Sequence, residues 1–166
     1  LKQVAVELRP PELDLLGLSA ALRHHFSQVT DLRRVRIRFT QNLGRSRVPD
    51  DLATVVFRIV QEALTNAIKH GHAKKVDVRL WASKKELSLT VSNDGTRFRA
   101  APRGRPKSPH LGLHMMAETA ASVGGTFKIE STPGKPIAVR VILPLGTARS
   151  GGGGGGGGRG GGGGAR

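Results

Sequence analysis

Cysteine and tyrosine are absent from this 166-residue chain, and tryptophan occurs once. The lack of cysteine excludes disulfides, thiolate zinc sites and cysteine nucleophiles. Aromatic side chains make up 4% of the residues, too few to favour a platform for stacked bases. No apolar run approaches the roughly 20 residues of a membrane-spanning helix, and no signal peptide is recognisable. Because the first residue is Leu1 and not Met, we expect the chain to be a piece of a longer protein.

Acidic residues are scarce as well. The chain has 12 Asp and Glu against 27 Lys and Arg, which gives a formal net charge of +15. The basic residues concentrate in two stretches without any acid, 33–47 and 97–107. This charge raises the question of nucleic-acid binding, but a solvated basic surface is the simpler interpretation. Thirteen of the 23 glycines lie between residues 151 and 164, and such a tract predicts a disordered tail.

Hydrophobic periodicity predicts the end of a helix over residues 1–8, and three further helices after it. After Pro11, apolar residues recur at helical spacing at Leu15, Leu18, Leu22 and Phe26. A second, longer helix is predicted from Pro49, with a wide apolar stripe that ends near the His70-Gly71 stop. The third is a short helix over 111–123 that ends at Gly124-Gly125.

Alternating apolar and polar residues predict the strands. The alternation occurs in five segments: 35–39, 76–80, 87–91, 126–130 and 137–143. The second and third segments are separated by a short polar turn, which predicts a hairpin. The order of helices and strands indicates an α/β fold in which helices cover a largely antiparallel sheet.

Polar residues on the long helix form the first candidate site. Glu62, Asn66 and the pair Lys69-His70 follow one another at intervals of three or four residues, which places them on one helix face. A carboxylate, an amide and a cation on one face suit magnesium and phosphate. A solvated polar face explains the same residues equally well.

Two further segments are weaker candidates by themselves. Asn93 and Gly95 stand where a strand ends in a polar turn, and such a turn can either meet a ligand or simply reverse the chain. The run His110-Leu111-Gly112-Leu113 opens a helix, where backbone N–H groups can bind an anion. An ordinary helix start accounts for that run as well.

Taken together, these segments resemble sensor histidine kinases. FRIVQEALTNAIKHGHAKKVDVRL is similar to the N box of the subfamily related to nitrate/nitrite sensors, and VSNDG, HLGLHMM and GG…IESTPG…VRVILPL follow in that family's order. Upstream, LRPPELDLLGL resembles the signature between the dimerisation helices and the ATPase domain of that subfamily. The resemblance covers about residues 1–145. It implies the Bergerat ATP-binding fold of the GHKL superfamily, a two-layer α/β sandwich.

The resemblance also implies roles for single residues. Asn66 would ligate Mg²⁺ between the phosphates of ATP, and Glu62 would support that site or order its water. Lys69 and His70 would lie near the phosphates. Asn93 would accept a hydrogen bond from adenine, beside Gly95. Residues 96–110 would form the ATP lid. The remaining binding residues would lie where the lid ends and the third helix begins: His110, Leu111, Gly112 and Leu113.

The resemblance implies a division of the chain and a set of partners. Residues 1–17 would end a dimerisation helix and its linker, 18–146 would form the ATPase domain, and 147–166 would be the tail. The phosphoacceptor histidine of the family lies on a dimerisation helix that precedes this chain. The implied partners are that dimerisation domain, a response regulator and a second copy joined through the missing helices, and the implied location is the cytoplasm. An inner-membrane anchor of the parent protein stays open.

Several positions depart from the family pattern. Asn93 replaces the usual aspartate, and Arg97 and His110 stand where glycines are usual. These departures leave open a degenerate interaction module of the same fold that no longer turns over. The net charge leaves open a basic nucleic-acid-binding protein, although nucleic acid is not the expected partner.

Overall fold

The computed structural model describes residues 9–45, 47–96 and 110–146. The end of a helix expected over residues 1–8, most of the lid and the glycine-rich tail lie outside the described residues. Within the described ranges, no helix is long and apolar enough to cross a membrane.

A five-stranded sheet forms one layer of the fold. Its strands, in chain order, are β1 (Arg36–Asn42), β2 (Lys75–Ala82), β3 (Glu86–Asn93), β4 (Thr126–Glu130) and β5 (Ile137–Pro144). In space the order is β1-β2-β3-β5-β4. Only the β1–β2 pair is parallel among these strands, and the other three pairs are antiparallel. The expected α/β fold with a largely antiparallel sheet is confirmed.

The helices cover one face of this sheet. They are α1 (Pro11–Leu16), α2 (Leu18–Arg33), α3 (Asp50–Thr65), which continues into a π-helical turn (Asn66–His70), and α4 (His110–Ala121). Because side chains alternate along a strand, the buried apolar residues of β2 and β3 point to the helix side, whereas Trp81 of β2 points to the other face. Val78, Leu80 and Leu89 are at most 1% exposed there, and they pack with α3 residues such as Val56 and Ile59.

The first predicted helix is two helices. Gly17 adopts φ +76° between α1 and α2, a backbone conformation that favours glycine. The turn rotates α1, so Leu15 is 83% exposed whereas Leu18, Leu22 and Phe26 are buried. The expectation that Leu15 shares their face was therefore wrong. Leu13 of α1 packs into the same core, and a domain boundary at residue 17 stays a prediction.

The long helix changes its winding at Asn66. The N–H of Gly71 donates to the carbonyl of Asn66 at 3.0 Å, a bond across five residues and not four. A π-helical turn of this kind occurs frequently at functional sites. It ends α3 beside the last residues of β3, where the candidate site lies.

Candidate functional site

A contact between the long helix and α4 brings three predicted site residues together. Gly112, in the first turn of α4, lies against Glu62 and Asn66 of the long helix. A Cβ atom added at Gly112 would overlap the Glu62 Oε1 atom and would lie 3.2 Å from Asn66 Nδ2. The contact therefore depends on the missing side chain of glycine, which leaves backbone facing a carboxylate and an amide.

Asn66 is buried without a full set of partners. It is 6% exposed and the only buried polar or charged residue within the described ranges. Its Nδ2 atom has no hydrogen-bond partner there. Because buried polar groups are almost always hydrogen-bonded, this amide is poised to meet a group that the described residues do not supply. The amide oxygen of Asn66 is also a hard ligand of the kind that Mg²⁺ prefers. The residue therefore fits a site for magnesium and phosphate.

A second contact joins the end of β3 to the end of the long helix. The N–H of Thr96 donates to the carbonyl of Gly71 at 2.8 Å. A Cβ atom added at Gly95 would lie 2.5 Å from that carbonyl oxygen and 2.8 Å from Asn93 Oδ1. The strand end and the helix end are thus held in contact, and Gly95 is required by the close approach of the two backbones.

Asn93 and Asp94 have different roles in this turn. Asn93 is two and four residues along β3 from the buried residues Val91 and Leu89. Because side chains alternate along a strand, its side chain is on the helix side of the sheet as theirs are. Its Oδ1 atom accepts the Gly95 N–H at 2.8 Å. A carbonyl oxygen has a second lone pair, so this atom can accept a further donor from a ligand.

Asp94 points away and holds the neighbouring strand. Its Oδ1 atom accepts the backbone N–H groups of Lys74 and Lys75 at 2.8 and 2.9 Å. These bonds, chiefly that from Lys75, lower the pKa of the Asp94 carboxyl below its ordinary value. Asp94 is consequently a structural cap of β2, and Asn93 is the residue left available at this strand end.

The structure places the remaining predicted residues less centrally. Lys69 lines a groove between α2 and α3, together with Gln61 and Thr65, in which neither Glu62 nor Asn66 takes part. His70 is exposed in the last turn of the helix. His110 and Leu111 are the first two residues of α4, directly before Gly112 and Leu113. Within the described ranges no group of three or more His, Asp or Glu side chains is arranged to hold a metal ion.

Comparison with known proteins identifies the family. A family model described as histidine kinase-, DNA gyrase B- and HSP90-like ATPase matches residues 51–147. The chain belongs to this ATPase family. The match begins at α3 and includes β2 to β5 and α4, so both contacts described above lie within the family's domain.

A curated relative supports the same assignment for this ATPase domain. The oxygen sensor histidine kinase NreB of Staphylococcus carnosus is 35% identical over 144 residues, which are 87% of this chain and 41% of the relative. The chain thus spans about two fifths of that protein's length.

Solved structures share the fold. The blue-light activated histidine kinase of Erythrobacter litoralis EL346 superposes with a TM-score of 0.59 at 22% identity, covering 77% of this chain and 45% of the kinase. The ATP-binding domain of PrrB from Mycobacterium tuberculosis gives 0.52 at 21% identity, covering 74% of this chain and 88% of that domain.

The sequence does not predict that Gly71 is part of the site of this ATPase domain. Gly71 reads as a helix stop, yet its carbonyl accepts both the N–H and the hydroxyl of Thr96, the latter at 3.3 Å. The sequence signal available was the glycine itself. It shows that the helix ends there, but not that the end of β3 is tied to it.

Proposed function

We propose that this chain is the ATP-binding catalytic domain of a two-component sensor histidine kinase. The γ-phosphoryl group of ATP would pass to a histidine on a dimerisation domain of the same kinase, and from there to an aspartate of a response regulator. In the first step the bond between the γ-phosphorus and the β–γ bridging oxygen breaks, a phosphorus–nitrogen bond forms, and ADP leaves. Family membership and the similarity to a sensor histidine kinase support this proposal.

The observation that carries the proposal is the contact of Glu62, Asn66 and Gly112. It presents a carboxylate, an unpartnered amide and bare backbone at one point between two helices. Asn66 would hold Mg²⁺ through its amide oxygen, and Glu62 would orient that ligand or its water. The ion would neutralise charge on the phosphates. The Gly112 backbone would lie against the phosphates, since the N–H groups at a helix start favour anions.

The turn after β3 would bind the base. Asn93 would accept a hydrogen bond from the adenine amino group on the free lone pair of Oδ1, and Gly95 would leave room for the ring. Catalysis by this domain would be mainly positioning and charge stabilisation, as in other phosphoryl transfers. Lys69 and His70 would add positive charge at the end of the long helix.

The substitution Asn66→Ala tests the assignment. We expect it to abolish magnesium-dependent binding of an ATP analogue, measured by titration calorimetry with and without Mg²⁺. The fold should persist, because the change removes a buried amide whose Nδ2 is already unpartnered. Gln61→Ala is the matched control, since this amide on the same helix lines the other groove. A folded Asn66→Ala protein with unchanged affinity would refute the site.

A degenerate interaction module of the same fold is the second candidate. The presence of Asn93 where the family has an aspartate favours it, because a neutral acceptor binds an amino group more weakly than a carboxylate does. Tight, magnesium-dependent binding of the analogue by the unmodified chain would exclude this candidate.

A further inference from the structure

The sheet face opposite the helices has no layer covering it within the described residues. Alternation along the strands places one set of side chains there. Two of them are large and apolar, Trp81 and Ile142, which are 45% and 42% exposed. The proposed nucleotide site is on the helix side, so this face is separate from it.

A row of cations crosses this face. Arg79 of β2 is opposite Thr90 of β3, which is opposite Arg140 of β5, which is opposite Lys128 of β4. Neighbouring strands are about 4.8 Å apart, so the row extends over roughly 14 Å. Three of its four members carry positive charge.

An apolar row runs beside the cations. Two residues beyond Arg79 on β2, Trp81 is opposite Ser88 of β3, and Ser88 is opposite Ile142 of β5. Beside Trp81, the small side chains of Ser88, Thr90, Ser92 and Ala138 leave a shallow depression in this face. This depression has a volume of about 390 Å³, with a floor of small residues and a rim formed by Trp81, Arg79 and Arg140.

Positive charge exceeds negative charge on this face. Three strand carboxylates are present on it. Asp77 accepts from Arg38 Nε at 3.0 Å and lies 3.7 Å from Arg79 Nε, Glu130 is 2.9 Å from Arg140 Nε, and Glu86 is exposed on the side of β3 that carries Ser88. The basic residues on the same strand positions are more numerous, and they are Arg36, Arg38, Lys75, Arg79, Lys128 and Arg140. The face therefore complements an acidic partner.

The segments of this chain outside the described residues do not offer that complement. Segment 97–109 contains five basic residues and no acid, and segment 147–166 contains three arginines and no acid. Segment 1–8 has a single lysine and a single glutamate. These three segments therefore do not supply the negative charge that would complement the face.

We propose that this face docks a partner protein through a segment with carboxylates on one stripe and apolar side chains on the next. The carboxylates would meet the row of Arg79, Arg140 and Lys128, and the apolar side chains would cover Trp81 and Ile142. Tryptophan and arginine are the residues that most often dominate binding at protein interfaces. A nucleic acid fits less well, because the described part of the face has a single aromatic ring for stacking and includes three carboxylates that repel phosphate.

Trp81 reports binding directly, since it is the only tryptophan in the sequence. The probe is a helical peptide of about 15 residues, long enough to span the row, with glutamates on one stripe and leucines on the adjoining stripe. We expect a saturable change in Trp81 fluorescence that weakens with added salt. The double substitution Arg79→Glu with Arg140→Glu should weaken binding about tenfold or more, because it reverses the complementary charge.

Two further variants control the experiment. Lys84→Glu with Lys85→Glu makes the same change of charge in the exposed β2–β3 turn and should bind as the unmodified chain does. Ser88→Glu puts a carboxylate on the floor of the depression and leaves the ion pairs of Asp77 and Glu130 in place, so it tests the site if the arginine variant fails to fold. This variant should also weaken the binding of the peptide.

Four results would overturn the proposal. The first is that the peptide leaves Trp81 fluorescence unchanged. The second is that the Lys84 and Lys85 variant loses as much affinity for the peptide as the arginine variant does, which would mean a diffuse electrostatic attraction. An oligothymidylate that binds more tightly than the peptide and changes the same fluorescence would mean a nucleic-acid surface. Self-association in sedimentation that disappears in the arginine variant would mean that a second copy occupies the face.

Discussion

The substitution Gly112→Ala separates the role of the α3–α4 contact in function from its role in stability. It adds one methyl group at the point where α4 faces Glu62 and Asn66. That methyl group would overlap Glu62 Oε1 and would lie 3.2 Å from both Glu62 Cδ and Asn66 Nδ2. The overlap is with the free end of a flexible side chain, so the carboxylate can move while both backbones stay in place.

The expected effect on stability is small because two terms oppose each other. Alanine is preferred over glycine in a helix by up to about 1 kcal/mol. Moving the Glu62 carboxylate to a less favourable rotamer costs about 0.5–1.5 kcal/mol. The free energy of unfolding should therefore stay within about 1 kcal/mol of the unmodified value, as measured by urea denaturation.

The expected effect on function is large. Glu62 is displaced and the Asn66 amide is crowded in the same step, so the groups proposed to hold the magnesium–phosphate ligand lose their positions. A misplacement of about 1 Å can cost about a hundredfold in rate. We expect magnesium-dependent affinity for an ATP analogue, and phosphoryl transfer to a dimerisation domain supplied separately, to fall by about tenfold to a hundredfold.

Gly124→Ala provides the matched control. Gly124 has φ +75°, and an added Cβ would meet only Pro144 Cγ, at 3.6 Å. This variant should lose about 1 kcal/mol of stability through backbone strain and keep its affinity. If Gly112→Ala binds the nucleotide as the unmodified chain does, the phosphates do not lie at this contact. A loss of stability well above about 1 kcal/mol would instead mean that Gly112 is there for packing.

Three other outcomes are expected. Asn93→Ala should weaken the binding of ATP and of ADP equally, whereas Asp94→Ala should cost about 1 kcal/mol of stability and leave both affinities unchanged. If parallel titrations show a loss of affinity in the Asp94 variant alone, the residue that binds adenine is Asp94 and not Asn93. Burial lowers the pKa of His25 below 6.5, so the unfolded chain takes up a proton at higher pH than the native chain and stability falls as the pH drops below 6.5. His25→Gln should flatten that part of the stability curve, and an unchanged slope in urea titrations would contradict the argument. The isolated chain should not acquire acid-labile phosphate from ATP, and labelling of His24 or His25 would show that it carries its own acceptor.

Local patterns were sufficient to predict most of the fold. The stripe on α3 and the alternation in β2, β3 and β5 depend on neighbours in sequence, and each was located to within about two residues. The break at Gly17 was missed because Leu15 continues the helical spacing of Leu18 and Leu22. A glycine with positive φ is not distinguishable in sequence from a glycine inside a helix.

The site was predicted from residue types, but not its contacts. Glu62 and Asn66 share a helix face by spacing alone. Their meeting with Gly112 requires α4 to cross α3 at one particular turn, and no periodicity specifies that. In the same way, Asn93 and Asp94 are neighbours on a strand, so the sequence predicts that their side chains point to opposite faces. The bonds from the Lys74 and Lys75 N–H groups to Asp94 depend on the pairing of β2 with β3, which the sequence does not specify.

Three local features that weaken a helix coincide at the candidate site. Asn66 buries an amide nitrogen without a partner, which typically costs about 1–3 kcal/mol. The helix leaves its regular winding at the same residue, and the facing helix has a glycine in its first turn where alanine would be more stable. Chance would scatter such features along the chain. Their concentration within one contact is what a ligand-binding site predicts, since local choices that oppose the fold are expected mainly where function requires them.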